Sequence, residues 1–391
     1  MIIRQSNSAQ SVKEYYFSKK LTEIKRLQNS GTEILNLGIG NPDLPPPDEA
    51  IDELQNSIQQ NSNHGYQSYK GTDELRRAFS DWYKAYFEVD LDANKQILPL
   101  MGSKAGIMHI STAFLNQGDK VLVPDPGYPA YKSAAMINGA KPIAYDLTEK
   151  NSYFPNLKEL EKLDLFDIKL MWVNYPNMPT GQKASLQQFR DLINFGRRHK
   201  ILIINDNPYS FILNNEHLSL LKVEHALETA LELNSLSKSH NMAGWRIGAL
   251  FGREDYINTV QKIQSNLTSG MLLPLQKAAE KALRVNGNWY KDLNKIYKER
   301  QQKVYQLLKK INCAYNENSS GMFIWAKIPE DFTDSYFFSE HILNTYNIFI
   351  TPGAVFGTNG NKYIRVSLCS TNEIYDKALR RLTKRISSQN E

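Results

Sequence analysis

From Gly71 to Leu283, short apolar runs alternate with amphipathic helical patterns, and this alternation restricts the chain to a sheet covered by helices. The spacing predicts helices over 72–87 and 104–115, and extended segments over 96–101, 120–123, 169–173, 201–204, 232–236 and 247–251. The extended runs are apolar at successive positions, so each must be buried on both faces. A mostly parallel sheet with helices on both sides achieves that. One intervening helix is marked at both ends. Ser185 and Gln188 make a capping-box pair, Leu186, Phe189, Leu192 and Ile193 form one stripe, and Arg197-Arg198-His199-Lys200 is a basic stop suited to the helix C-terminus.

After Asn286 the pattern changes. A long helical stretch over 289–310 leads into strands at 322–328, 348–351 and 363–368, with helices at 335–344 and 372–387. This is the pattern of a smaller α+β domain, and a chain of 391 residues has room for about two domains. The segment before Pro45-Pro46-Pro47, with one short helix, is expected to join it. The expected division is therefore 48–285 for the large domain, with 1–47 and 286–391 together forming the small one.

Composition excludes other classes. Hydrophobic residues at 41% and charged residues at 23% fit a globular chain rather than a disordered or collagen-like one. The net charge of +6 is spread through mixed-sign sequence with no basic arm, so no nucleic-acid partner is expected. Cys313 and Cys369 have no Cys-x-x-Cys or histidine company, which argues against a disulfide framework and a metal site. The first residues lack a signal-peptide core and the aliphatic runs are strand-length, so a cytoplasmic location without membrane association is expected.

In open parallel sheets, ligands bind beyond the C-terminal strand ends. The residues there are Gly102-Ser103-Lys104, Asp125-Pro126-Gly127-Tyr128, Asn174-Tyr175-Pro176-Asn177, Asp206-Asn207-Pro208-Tyr209 and Ser235-Leu236-Ser237-Lys238. Gly102-Ser103-Lys104 opens a helix whose free N–H groups favour an anion. Gly38-Ile39-Gly40 is no dinucleotide fingerprint, because Asn41-Pro42 replaces the required turn into a helix. Lys238 precedes a stretch, Ser239-His240-Asn241, that reads as polar and flexible. A lysine facing a pocket at a strand end is the type that forms Schiff bases. Asp206 follows a buried run, and a carboxylate there is costly unless a positive group pairs with it. Pyridoxal 5′-phosphate needs a lysine, an acid for its ring nitrogen, a phosphate cup, a ring plate and an arginine for the substrate carboxylate. Every requirement has a candidate in this sequence.

The segments Ser235-Leu236-Ser237-Lys238 with Gly244-Trp245-Arg246-Ile247-Gly248, Gly38 to Asp43, Pro352 to Gly357 and Tyr363-Ile364-Arg365-Val366-Ser367 are similar to the motifs of fold-type I, class I aminotransferases. The stretch from Gly102 to Pro129 also resembles LL-diaminopimelate aminotransferase-like members. The resemblance covers about 38–368. It implies a seven-stranded, mostly parallel sheet domain with a smaller α+β domain, and a homodimer with shared active sites. It also implies a catalytic set of Lys238, Asp206 and Tyr209. In that family pattern Lys238 carries the cofactor and moves the proton, Asp206 pairs with the ring nitrogen, Tyr209 bonds the ring 3-oxygen and Tyr128 stacks on the ring. Ser103, Lys104, Ser235 and Arg246 would cup the phosphate, with Tyr66 of the partner subunit. Asn177 joins the cofactor-binding set, and Arg365 with the Gly40 backbone takes the substrate carboxylate.

The sequence departs from the pattern once. The family has two asparagines before Pro-Thr-Gly, where this chain reads Asn177-Met178-Pro179-Thr180-Gly181. A thioether donates no hydrogen bond and accepts only weakly. The expected reaction is ping-pong transfer from an amino acid to a 2-oxo acid, with 2-oxoglutarate as acceptor, through pyridoxamine phosphate. A pyridoxal-phosphate-dependent carbon–sulfur β-lyase is the alternative, and an inactive or regulatory relative the second.

Overall fold

The computed structural model describes residues 2–387. Seven strands build the large sheet: β1 (Ile97–Leu100), β2 (Lys120–Asp125), β3 (Lys141–Asp146), β4 (Ile168–Val173), β5 (Leu202–Asp206), β6 (Ala230–Ser235) and β7 (Gly248–Gly252). Their order is β1-β7-β6-β5-β4-β2-β3. Strand β7 runs antiparallel to both neighbours, and the other pairs are parallel. The six predicted runs are all strands of this sheet.

Strand β3 was not among the predicted runs. It lies at the sheet edge, where Lys141, Ala144 and Asp146 are exposed, so its sequence carries no two-sided apolar run. The helix Leu186–His199 has the predicted capping box, with Ser185 and Gln188 bonding each other's backbone. Helices Asp48–Ile58, Pro129–Ile137, Glu254–Leu267 and Leu273–Leu283 were not read from the sequence.

Aromatic packing fills one face of the sheet. Trp82 stacks on Phe211 at 4.9 Å between centroids, and Tyr83 on Phe251 at 3.9 Å. Burying each such ring contributes roughly 2 to 3 kcal/mol. The opposite face packs Leu98, Val121, Leu170, Trp172 and Leu231 against Ile107 and Ile110.

The chain after Asn286 forms the helix Gly287–Lys310 and a four-stranded antiparallel sheet ordered Thr351–Pro352, Tyr363–Ser367, Phe323–Lys327, Ala314–Tyr315. Leu35–Asn36 pairs in parallel with Ile348–Phe349, so the N-terminal segment is stitched to the C-terminal region. That segment carries two helices, Asn7–Ser11 and Tyr16–Asn29, rather than the one expected. The shorter one exists because Ser6 caps Ala9.

The loop after Thr351–Pro352 is tied to the end of β2. Asp125 accepts from the Thr358 N–H at 2.9 Å, the Thr358 hydroxyl at 2.7 Å and the Asn359 N–H at 3.0 Å. Gly127 donates its N–H to Phe356 O at 2.8 Å. These contacts hold the far loop against the strand end that leads into Tyr128.

Candidate active site

A cavity of about 260 Å³ lies where β2, β4, β5 and β6 end. Its lining includes Gly40, Ser103, Tyr128, Asp206, Tyr209, Ser235, Lys238 and Arg365 from the expected set, together with Met178.

Strand β5 ends on Asp206, which is 4% exposed. The Tyr131 hydroxyl donates to its Oδ2 at 2.8 Å, whereas Oδ1 is buried without a partner. Burial pushes the carboxyl up to about 7, the Tyr131 bond opposing this and the Glu232 charge adding to it. An orphaned carboxylate oxygen in a cavity calls for a donor or a cation, and a protonated ring nitrogen is both.

Strand β6 ends on Ser235, which caps the short helix Leu236–Ser239 that carries Lys238. The Lys238 Nζ donates to Gly40 O at 2.6 Å. Burial lowers its pKa to about 8, with Arg365 and Arg246 adding like-charge repulsion. The residues after it are not the flexible stretch expected. Ser239, His240 and Asn241 are buried, and His240 is fixed between the Ser239 and Tyr290 hydroxyls at 2.8 Å each. Polar side chains bury here because they satisfy one another.

Gly102 sits at φ 82°, where a Cβ would come within 2.3 Å of Arg246 Nη2, so glycine lets the guanidinium lie over the N-terminus of the helix Ser103–Phe114. Arg246 Nη1 also contacts the Ser237 hydroxyl at 3.3 Å. Helix N-terminus, guanidinium and the Ser235 and Ser237 hydroxyls make an anion cup.

Arg365 is buried with no carboxylate among its hydrogen-bond partners in the described residues. Nη2 donates to Gly38 O at 2.8 Å, Nη1 to Met178 Sδ at 3.4 Å, and Nε has no partner. The guanidinium lies 3.9 Å from the Phe323 ring centroid and 4.7 Å from that of Phe356. Burial lowers its pKa to about 10. A Cβ on Gly40 would fall 2.2 Å from Phe323 Cζ, so glycine permits the approach of this loop to that ring. Burial also raises the phenols of Tyr209 and Tyr128, which keeps both as donors.

Four expected residues lie outside the cavity lining. Lys104 places its Nζ over the Tyr15 ring at 4.7 Å, Asn177 is spent on Asn174 O and Thr180, Arg246 borders the cup, and Tyr66 is 95% exposed. Lining residues absent from the expected set include Tyr131, Asn174, Tyr15, Phe17, Phe323 and Phe356. Asn174 and Tyr131 stand beside motif positions already noted, whereas Phe17 and Phe323 arrive from distant segments.

A buried lysine, an acid with one orphaned oxygen, an anion cup and an arginine with no carboxylate partner around one cavity match what a pyridoxal-phosphate-dependent enzyme of the type I fold requires. The chain belongs to the aminotransferase class I and II family, whose model matches residues 32–382. It is 36% identical over 370 residues to an LL-diaminopimelate aminotransferase of Halothermothrix orenii, covering 94% of this chain and 95% of that one. A second LL-diaminopimelate aminotransferase, from Maridesulfovibrio salexigens, is 38% identical over 369 residues, covering 93% and 95%. The structure of apo-BacF from Bacillus subtilis superposes with a TM-score of 0.94 at 33% identity, covering 98% of each chain. The protein is thus a pyridoxal 5′-phosphate-dependent aminotransferase, with small-molecule amino acids and 2-oxo acids as substrates. Among the described residues no helix is long and apolar enough to cross a membrane.

Proposed function

We propose that Lys238, Asp206 and Tyr209 form the catalytic set of this aminotransferase, with 2-oxoglutarate as acceptor. The observation carrying the reading is the complementary pair of unmet needs: Asp206 Oδ1 without a donor and Arg365 Nε without an acceptor, in the cavity that also holds Lys238. When bound, pyridoxal phosphate would supply an electron sink for the substrate carbon. Lys238, lowered to about 8, has an appreciable neutral fraction at physiological pH, so its amine would condense with the cofactor aldehyde with loss of water and, once displaced by the substrate amine, would take and return the Cα proton. Asp206 holds a proton on the ring nitrogen, and Tyr209 donates to the 3-oxygen. Tyr128 covers the ring face. Ser103, Ser235 and Arg246 would hold the phosphate together with the Lys104 segment, and Asn177 completes the proposed cofactor-binding set. Arg365 grips the substrate carboxylate with a planar fork, beside the Gly40 backbone.

The division into a large unit, 48–285, and a small unit, 1–47 with 286–391, is part of the proposal. The separate apolar clusters around Trp82 and around Trp325 support it, as does the pairing of Leu35 with Ile348. Met1 and residues 388–391 lie outside the described residues. A homodimer is proposed on the exposure of Tyr66, Tyr69, Leu267 and Leu272, with Tyr66 serving the phosphate of the partner's site. The two buried, unpaired cysteines fit a reducing cytoplasm.

The test is direct. Purified protein shows a visible band that Lys238→Ala removes, and an amino donor without acceptor bleaches the band of the wild type. Retention of the band in Lys238→Ala overturns the assignment. Release of pyruvate and ammonia from cystathionine, without transfer to 2-oxoglutarate, would assign the β-lyase instead.

A further inference from the structure

Building on the assignment of Tyr209 to the cofactor's 3-oxygen, we propose that Asn294 and Ser320 are positioning residues that set the strength of that hydrogen bond through Leu213. Leu213 sits at φ 49°, a left-handed conformation unfavourable for a residue with a Cβ. Such a conformation persists only where its surroundings hold it. Both of its backbone polar groups are held from the chain after Asn286. Its N–H donates to Asn294 Oδ1 at 2.5 Å, and its carbonyl accepts from the Ser320 hydroxyl at 3.1 Å. The two carbonyls before it are taken in the same way. Asn294 Nδ2 donates to Phe211 O at 2.8 Å, and the Gly321 N–H donates to Ile212 O at 2.7 Å.

The clamp reaches Tyr209 directly. The Ile212 N–H returns to Tyr209 O at 3.1 Å, so 209–213 is a compact turn fastened to the helix Gly287–Lys310 and to the turn at 318–321. That second turn also lies against the base of the phenol, since a Cβ added to Gly321 would stand 3.6 Å from Tyr209 Cβ. Two residues on, the Phe323 ring meets the Tyr209 ring edge-on at 6.0 Å between centroids. The Ser320 N–H bonds Gly181 O at 2.8 Å, which ties the loop carrying Met178 to the same turn. Neither Asn294 nor Ser320 lines the cavity; both line a separate groove with Leu213. Their effect on the chemistry must therefore pass through where they hold the phenol. A hydrogen bond weakens steeply with angle, so a small rotation of this segment is enough. All of these contacts lie within one subunit, and they hold whatever a partner adds to the cavity.

The test is the pH midpoint of the visible band in the holoenzyme. A phenol that donates to the anionic 3-oxygen favours that form, so losing the bond raises the midpoint. Tyr209→Phe is expected to raise it by about one unit, and Asn294→Ala and Ser320→Ala by ~0.5 unit each. In the Tyr209→Phe background Asn294→Ala should add nothing, because the bond it governs is already gone. In cofactor-free Asn294→Ala, the amides of 209–213 should exchange ~10-fold faster than in the wild type, read by mass spectrometry. An unmoved midpoint in Tyr209→Phe overturns the Tyr209 assignment and this proposal with it. A midpoint moved by Tyr209→Phe but by neither Asn294→Ala nor Ser320→Ala overturns the clamp alone. So does a full additional shift from Asn294→Ala in the Tyr209→Phe background, or unchanged amide exchange. Ser320→Ala removes a single hydroxyl, and it carries the same comparisons if Asn294→Ala fails to fold.

Discussion

The Arg365 guanidinium donates to the Met178 thioether at 3.4 Å, a soft acceptor at the position where the family pattern places an asparagine. Such a contact holds the arginine in place without competing strongly for its protons. In Met178→Asn a carboxamide returns to the cavity. Its N–H can donate to the anionic 3-oxygen of the cofactor, and a bond to the charged form favours that form. The pH midpoint of the visible band is expected to fall by about one unit, equivalent to ~1.4 kcal/mol. An unchanged spectrophotometric titration would remove Met178 from the active-site account.

Asp206 gives a pH prediction for the cofactor-free protein. Its folded pKa is raised from 3.8 to about 7, mainly by burial. A raised carboxyl contributes stability that is present below pH 4 and lost as pH climbs through 7. Asparagine does not titrate, so Asp206→Asn should gain on the wild type across that window. The full separation corresponds to ~4 kcal/mol. Urea unfolding of both proteins at several values between pH 4.5 and 7.5 measures the difference. A flat difference would show that Asp206 titrates as an ordinary carboxylate.

Lys238 carries the opposite sign. Burial lowers its pKa to about 8, so the neutral amine that its proposed role requires is the minor form at pH 7 and the major form at pH 9. The rate at which cofactor-free protein develops the visible band on adding pyridoxal phosphate should rise with pH, with a midpoint near 8. At pH 7 it should stand ~10-fold below its plateau. A midpoint close to 10 would mean that the amine is solvated.

What the sequence made legible follows from range. The central strands announced themselves because burial on both faces forces continuous apolar runs, and the helix after Ser185 because its cap is local. Strand β3 stayed hidden because an exposed edge relaxes that demand. The strand-end rule located Lys238, Asp206 and Ser235, since topology alone puts those residues on one rim. It also placed the Lys104 backbone at the anion cup, in the first turn of the helix Ser103–Phe114, but did not foresee that the side chain runs to Tyr15. Phe17, Leu21 and Phe323 were invisible as site residues because only the tertiary fold carries them to Arg365. Tyr131 was closer to reach. It lies three residues beyond Tyr128, one turn into the helix Pro129–Ile137, where it faces the same cavity.

Glu232 offers a last prediction about how the acid is held. It is fully buried on β6, where its Oε2 accepts from Asn205 Nδ2 at 2.8 Å and from the Leu220 N–H at 2.9 Å. Its Oε1 accepts from the Tyr83 hydroxyl at 3.0 Å and Asn207 Nδ2 at 3.4 Å. The residues on both sides of Asp206 are thereby anchored to one carboxylate. Glu232→Gln replaces an oxygen that accepts two bonds with an NH2 facing donors, which should cost roughly 1 to 3 kcal/mol of stability. It also removes a negative charge that raises Asp206, so the pH window over which Asp206→Asn gains on its parent should move lower in this background. Unfolding of the four proteins of the cycle, with and without each change, reads both effects. Stability loss with an unmoved window would leave Glu232 a structural residue with no influence on Asp206.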